Sequence, residues 1–226
     1  MTDFDDQLPF EGVEFAENPE PRCPCLLILD TSSSMKGEPI SQMDEGIVCF
    51  KDELMADDMA LKRVEIAVVT FGPVHVASDF ETADVFQPPK LKATGHTPMG
   101  EAIEKSIEMI RQRKDVYKQN GISYYRPWIF LITDGAPTDH WHKAAKMVNE
   151  GEDDKSFMFF AVGVEGANME ILRQISAREP LKLKDLRFRD LFTWLSNSLS
   201  LVSCSNTKDT VILENPTSPE GWAVID

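Results

Sequence analysis

Cys25-Leu26-Leu27-Ile28-Leu29 runs directly into Asp30-Thr31-Ser32-Ser33-Ser34. An uninterrupted apolar run bounded by a polar loop suits a strand covered on both faces, the kind found in parallel sheets flanked by helices. The carboxyl end of that strand presents Asp30, Ser32 and Ser34 two residues apart. One carboxylate with two hydroxyls suits a small hard cation, which takes oxygen ligands. Zinc, which favours nitrogen and sulfur, is a poor match.

Residues 128–132 and 157–164 are apolar runs of the same kind. Helical spacing separates the runs: Ile40, Met43, Ile47, Phe50 and Leu54 step by three and four, as do Met99, Ile103, Ile107 and Ile110. Asp139 is a good cap and predicts a helix from there to about 149. Phe188, Leu191, Phe192, Leu195, Leu199 and Val202 mark a last amphipathic helix. Residues 64–71 and 74–80 flank Gly72-Pro73 and read as a hairpin whose second strand alternates as an edge strand does; a short strand is expected at 181–183. The order predicts an α/β fold: a doubly wound, mostly parallel open sheet, Rossmann-like, with one antiparallel edge strand and helices on both faces.

At 226 residues and 42% hydrophobic, the chain can bury one sizeable core. We expect an acidic arm at 1–22, one domain at 23–203, and a tail at 204–226 that packs back through Val211-Ile212-Leu213 and Gly221-Trp222-Ala223-Val224-Ile225. The net charge of −15 disfavours nonspecific binding to a phosphate backbone. The arm carries Asp3, Asp5, Asp6, Glu11, Glu14, Glu17 and Glu20 against Arg22 alone. No apolar run approaches the roughly 20 residues that span a bilayer, and the first residues lack the basic start of a signal peptide; the expected location is the cytoplasm. Cys23-Pro24-Cys25 is too closely spaced for a zinc knuckle and reads as a pair of reduced structural thiols. Cys49 is expected in the core.

Ligands of open α/β sheets gather at the carboxyl ends of strands, near the switch in strand order. Three loops qualify: the one with Asp30, Ser32 and Ser34, the segment 92–100 with Thr97, and 133–139 with Asp134. Two carboxylates balance one divalent cation, and three hydroxyls add coordination without quenching its field. Magnesium takes about six oxygens, so a set of five leaves a position open to an external carboxylate. Singly, each residue also has an ordinary role: Thr97-Pro98 as a helix start, Asp134-Gly135 as a turn. Met35, Pro137 and Trp141 are candidate apolar contacts on the rim.

Asp-x-Ser-x-Ser after a first strand, Thr97 in Gly95-His96-Thr97-Pro98, and Thr133-Asp134-Gly135 after a central strand resemble the von Willebrand factor A (VWA) domain. The resemblance implies a metal-ion-dependent adhesion site (MIDAS) at Asp30, Ser32, Ser34, Thr97 and Asp134, holding Mg²⁺, with Mn²⁺ or Ca²⁺ as alternatives. Glu17-Asn18-Pro19-Glu20-Pro21-Arg22-Cys23-Pro24, Tyr124-Tyr125-Arg126-Pro127-Trp128 and residues 131–139 are similar more narrowly to the bacterial TerY-like group of tellurite resistance. That likeness implies a non-catalytic adaptor in a stress or tellurium-resistance system, whose protein partner presents an acidic side chain and belongs to the kinases or PP2C-type phosphatases. Two departures stand out. Ser33 replaces a frequent glycine, a position where the backbone conformation could be costly for serine. His96 precedes Thr97 where a small or acidic residue is frequent.

Catalysis is the weaker reading. The chain has no P-loop and no Gly-x-Ser-x-Gly elbow, and Ser32 stands where a haloacid-dehalogenase-like phosphatase needs an aspartate. His140 and His142 are the available bases for Ser32, with nothing in the sequence to bring them near. A metal-dependent hydrolase or phosphatase and a receptor for a small anionic ligand are the alternatives. Glu214, Glu220 and Asp226 could also reach the metal in cis.

Overall fold

β1 (Cys23–Asp30) is buried along its whole length because each of its faces meets a separate apolar layer. Cys23, Cys25, Leu27 and Leu29 face one layer, and Leu26 and Ile28 face the other. The structure is a computed structural model whose described residues are 15, 17–207 and 209–225. The arm positions Asp3, Asp5, Asp6, Glu11 and Glu14, and Asp226 of the tail, lie outside them.

After β1 come a 3-10 turn (Ser33–Met35), α1 (Glu38–Met55), α2 (Asp58–Arg63), β2 (Val64–Phe71) and β3 (His75–Thr82). Then follow α3 (Met99–Gln119), β4 (Trp128–Thr133), α4 (His142–Asp153), β5 (Met158–Gly163), α5 (Met169–Ile175), β6 (Leu181–Leu183), α6 (Phe188–Cys204) and β7 (Ala223–Val224). The sheet order is β3-β2-β1-β4-β5-β6-β7. β2, β1, β4, β5 and β6 are parallel, and β3 is antiparallel at one edge as expected from the hairpin. The opposite edge carries a second antiparallel strand, since β7 of the C-terminal segment pairs Val224 with Lys182 and Ala223 with Leu183. α1, α2 and α6 cover one face; α3, α4 and α5 cover the other.

Strand order reverses between β1 and β4, which opens a crevice at their carboxyl ends. Asp30 ends β1, and Thr133 ends β4. The opposite pole is closed by a buried ionic cluster. Glu65 accepts from Arg22 Nε at 2.8 Å, from Arg113 Nε at 2.8 Å and from the Tyr117 hydroxyl. Arg22 and Glu65 are fully buried, and Phe15 lies 5.2 Å from both guanidiniums. Arg22, grouped by sequence with a solvated arm, is thus an internal anchor. The tail returns through Trp222, which is buried against Trp194 with ring centroids 5.7 Å apart.

Three expectations change. The helix predicted from Asp139 begins at His142. Met35 is fully buried in the core and is not a rim residue. Cys49 is only half-buried, with its thiol 3.4 Å from Glu53 Oε1. Cys23 and Cys25 are buried free thiols.

Candidate functional site

The β1 ladder extends one residue beyond the strand: Thr31 N donates to Phe71 O at 2.9 Å. The chain then turns, and Ser32 N donates back to Asp30 Oδ1 at 2.8 Å. The other carboxylate oxygen, Oδ2, accepts from Thr133 Oγ1 at 2.5 Å. Thr133 was absent from the sequence-derived site. Its signal was present: it is the one polar residue closing an apolar strand, and the pairing of Leu29 with Ile132 carries it alongside Asp30.

From Asp30 the hydroxyls form a chain across the crevice. Ser32 Oγ and Ser34 Oγ are 3.0 Å apart, and Ser34 Oγ donates to Asp134 Oδ1 at 2.8 Å. Thr97 lies on the same side: a Cβ built on Gly135 would meet Thr97 Oγ1 at 3.7 Å. The Thr97 backbone is gripped from loop 133–139, with Thr97 N donating to Thr138 Oγ1 at 3.1 Å and Thr138 N to Thr97 O at 2.9 Å. Asp30, Ser32, Ser34, Thr97 and Asp134 are therefore drawn together from three loops.

The Thr97 hydroxyl is not the helix cap that Thr97-Pro98 suggested. α3 begins at Met99 with Pro98 just outside it and no local side-chain cap. Asp139 caps it from a distance, accepting from Gly100 N at 3.0 Å and Glu101 N at 2.8 Å. This leaves Thr97 Oγ1 without a hydrogen bond among the described residues and explains why Asp139 does not start its own helix.

Ser33 does not strain the loop. Its φ is not positive, unlike those of Lys155, Asp185 and Leu186. Its N–H and hydroxyl both donate to Gly95 O, at 3.2 and 3.0 Å, tying the first loop to the second. The second loop presses close: Gly95 (φ +73) and Gly72 (φ +140) sit where a Cβ would meet backbone at 2.7 and 2.6 Å. Only glycine fits such an approach.

Burial is the largest influence on the Asp30 carboxyl and pushes it above the usual carboxylate range; hydrogen bonds from Ser32 and Thr133 pull it down, and the Asp134 charge pushes it up again. Burial also raises Asp134, against the hydrogen bond from Ser34. Neither carboxylate is paired with a Lys, Arg or His among the described residues, in contrast to Glu65 at the other pole. The donor set is all oxygen. No cluster of three or more His, Cys, Asp or Glu that could hold a metal occurs among the described residues.

His96, His140 and His142 are exposed, and neither His140 nor His142 hydrogen-bonds Ser32. Trp141 is half-buried against the α3–α5 layer and stacks on His142 with centroids 4.2 Å apart. Glu214 and Glu220 line a cleft beside Arg187 and Trp194 on the flank of α6, and none of the five crevice residues lines it.

The profile of the von Willebrand factor type A domain matches residues 26–190. The chain belongs to the VWA family. The fold of this VWA domain is similar to that of proximal thread matrix protein 1 from the mussel byssus, with TM-score 0.53, 18% identity, and coverage of 82% of this chain and 49% of that one. The ArnB paralog VWA2 of Sulfolobus acidocaldarius gives 0.50, 20% identity, and coverage of 78% and 44%. The manganese-loaded Plasmodium vivax TRAP protein gives 0.50, 14% identity, and coverage of 70% and 64%. The chain thus spans 44–64% of the length of those chains. No curated protein matches it. VWA domains commonly carry a metal-dependent adhesion site, and no helix among the described residues is long and apolar enough to cross a membrane.

Proposed function

We propose that this VWA domain holds a divalent cation through Asp30, Ser32, Ser34, Thr97 and Asp134 and uses it to capture an Asp or Glu side chain of a protein partner. The observation that carries the reading is the unpaired carboxylate couple. Asp30 and Asp134 are raised by burial, close enough to repel each other, and bridged only by hydroxyls. Two ionised carboxylates in such a crevice lack a countercharge, and a hard divalent cation supplies it.

The metal contributes Lewis acidity toward a partner's carboxylate. The chain's own residues do the positioning. Asp30 is held at both oxygens by Ser32 N and Thr133, Ser33 locks the first loop to Gly95, and Thr138 holds the Thr97 backbone. Because only two ligands carry charge, the field of the cation is left partly unquenched for an incoming anion. Mg²⁺ is the expected occupant, with Mn²⁺ next; the Plasmodium TRAP structure is manganese-loaded.

The adaptor role in a tellurium-resistance or stress system, with a kinase or PP2C-type phosphatase as partner, rests on the three sequence segments named above and belongs to the same proposal. The test is affinity capture from cell extract with Mg²⁺ or with EDTA, using wild type and Asp134→Ala. Protein capture that needs both the metal and Asp134 supports the adaptor. Metal-dependent turnover of a generic phosphoester, lost in Asp134→Ala, would replace it with a hydrolase.

A further inference from the structure

The second loop has two sides. One side holds Ser33 through Gly95 O. The other forms the wall of a cleft of about 380 Å³ at the β2–β3 end of the sheet. Thr31 and Thr94 line the cleft, and Thr94 N donates to Thr31 O at 2.7 Å. Thr31 sits between Asp30 and Ser32, so the cleft and the carboxylate crevice share a wall.

The lining of this cleft differs from those of the clefts along α1 and α6, which include Asp or Glu. The chain carries 38 acidic and 23 basic residues, yet no Asp or Glu lines the cleft, while Lys90, Lys92 and His75 do. Lys92 is exposed and makes no ion pair or hydrogen bond among the described residues. Lys90 is bonded to Asp44 yet stays 81% exposed. Leu91 N donates to Asp44 Oδ1 at 2.9 Å, which fixes this segment to α1. Pro73, Pro89 and Leu91 supply apolar wall. A net charge of −15 repels acidic partners at large, so an acid-seeking site needs a local basic patch, and charge complementarity assigns the occupant.

We infer that this cleft is a second subsite of the same docking surface, and that the partner is an extended protein segment carrying two carboxylates. The first meets the metal and the second meets Lys92. The inference rests on the metal-capture reading above. Extended chain returns side chains to one face every second residue, so the second acid belongs an even number of positions from the first.

The test is fluorescence polarisation in Mg²⁺ at 0.15 M salt, where the Debye length is about 8 Å. The probes are labelled ten-residue Gly/Ser peptides with one Asp, or with a second Asp two or four positions away. Wild type should bind one of the two-Asp peptides about two- to fivefold tighter than the one-Asp peptide, the range an exposed ion pair reaches. Lys92→Glu should abolish that gain, so that the two-Asp peptides bind this variant no tighter than the one-Asp peptide. Lys118→Glu makes the same charge change near the far end of α3, about 30 Å along the helix from its start at Met99, and should leave the gain intact. A gain that is absent in wild type, that survives Lys92→Glu, or that falls equally in Lys118→Glu overturns the subsite. If the one-Asp peptide still binds in an EDTA-sensitive manner, the metal reading stands without it. If no peptide binds with Mg²⁺ or Mn²⁺, both fall.

Discussion

Replacing Thr133 with Val nearly keeps the side chain's shape and deletes one buried hydroxyl. That hydroxyl donates to Asp30 Oδ2 at 2.5 Å and accepts from Gly135 N at 3.2 Å. A hydrogen bond to a charged group is worth about 1.5–3 kcal/mol and one between neutral groups about 0.5–1.5 kcal/mol. Thr133 is fully buried, so water cannot replace either bond. A loss of about 2 kcal/mol is expected, which for a chain of this size lowers Tm by roughly 4–8 °C. The same bond pulls the Asp30 carboxyl down against burial, so its loss makes the ionised, metal-binding form harder to reach. Outer-shell partners of metal ligands carry about 10–100-fold in affinity; about tenfold weaker Mg²⁺ binding is predicted. Thermal melts in EDTA and calorimetric Mg²⁺ titration separate the two effects. Thr133→Ser, which restores the hydroxyl, should recover both. Unchanged Mg²⁺ affinity in Thr133→Val, with Tm lowered, would make Thr133 a purely structural residue with no part in holding the cation.

Three further outcomes are expected. Glu65→Ala removes the buried carboxylate that Arg22 and Arg113 share and should cost about 3–5 kcal/mol, read from the denaturant midpoint, with little effect on peptide capture at the far pole in protein that remains folded. Asp139→Ala removes the acceptor of Gly100 N and Glu101 N and should cost about 1 kcal/mol, as loss of a cap does; a melt shows it, and an unchanged Tm would deny the distant cap. Burial, with the Glu65 charge, pushes the Cys23 thiol up to about 12, and burial pushes Cys25 up as well. Iodoacetamide at pH 8 should therefore label exposed Cys204 first and Cys23 and Cys25 only on unfolding, as peptide mapping by mass spectrometry would show.

The placement of most of the candidate residues is legible because it rests on chain-local signals. Asp30, Ser32 and Ser34 follow one buried strand and Asp134 follows another, and parallel order alone brings two such strand ends together. What stayed hidden depends on contacts between distant segments. Asp139 looks like the start of its own helix and instead caps α3, because loop 133–139 folds over the start of α3. Thr133 reads as the first residue of the loop after a strand; its role exists only through register with β1. Met35 has the hydrophobicity of a rim contact or a core residue, and the tight 3-10 turn after Ser32 drives it inward. The Arg22–Glu65–Arg113 cluster was illegible because a charged residue in a strand ordinarily reads as facing solvent. The short β7 was foreseen only as apolar content in the tail, since two residues of pairing leave no periodicity to detect.

The central claim is that Asp30 and Asp134 share one divalent cation with Ser32, Ser34 and Thr97. Calorimetric titration of Mg²⁺ and Mn²⁺ into wild type and Asp134→Asn tests it most directly, because Asp134 is half-buried at the crevice mouth and its amide keeps the shape. One bound ion per wild-type chain, with affinity lost at least tenfold in Asp134→Asn at unchanged Tm in EDTA, is the predicted result. Equal affinity in the two proteins, or no bound ion in wild type, would contradict the account.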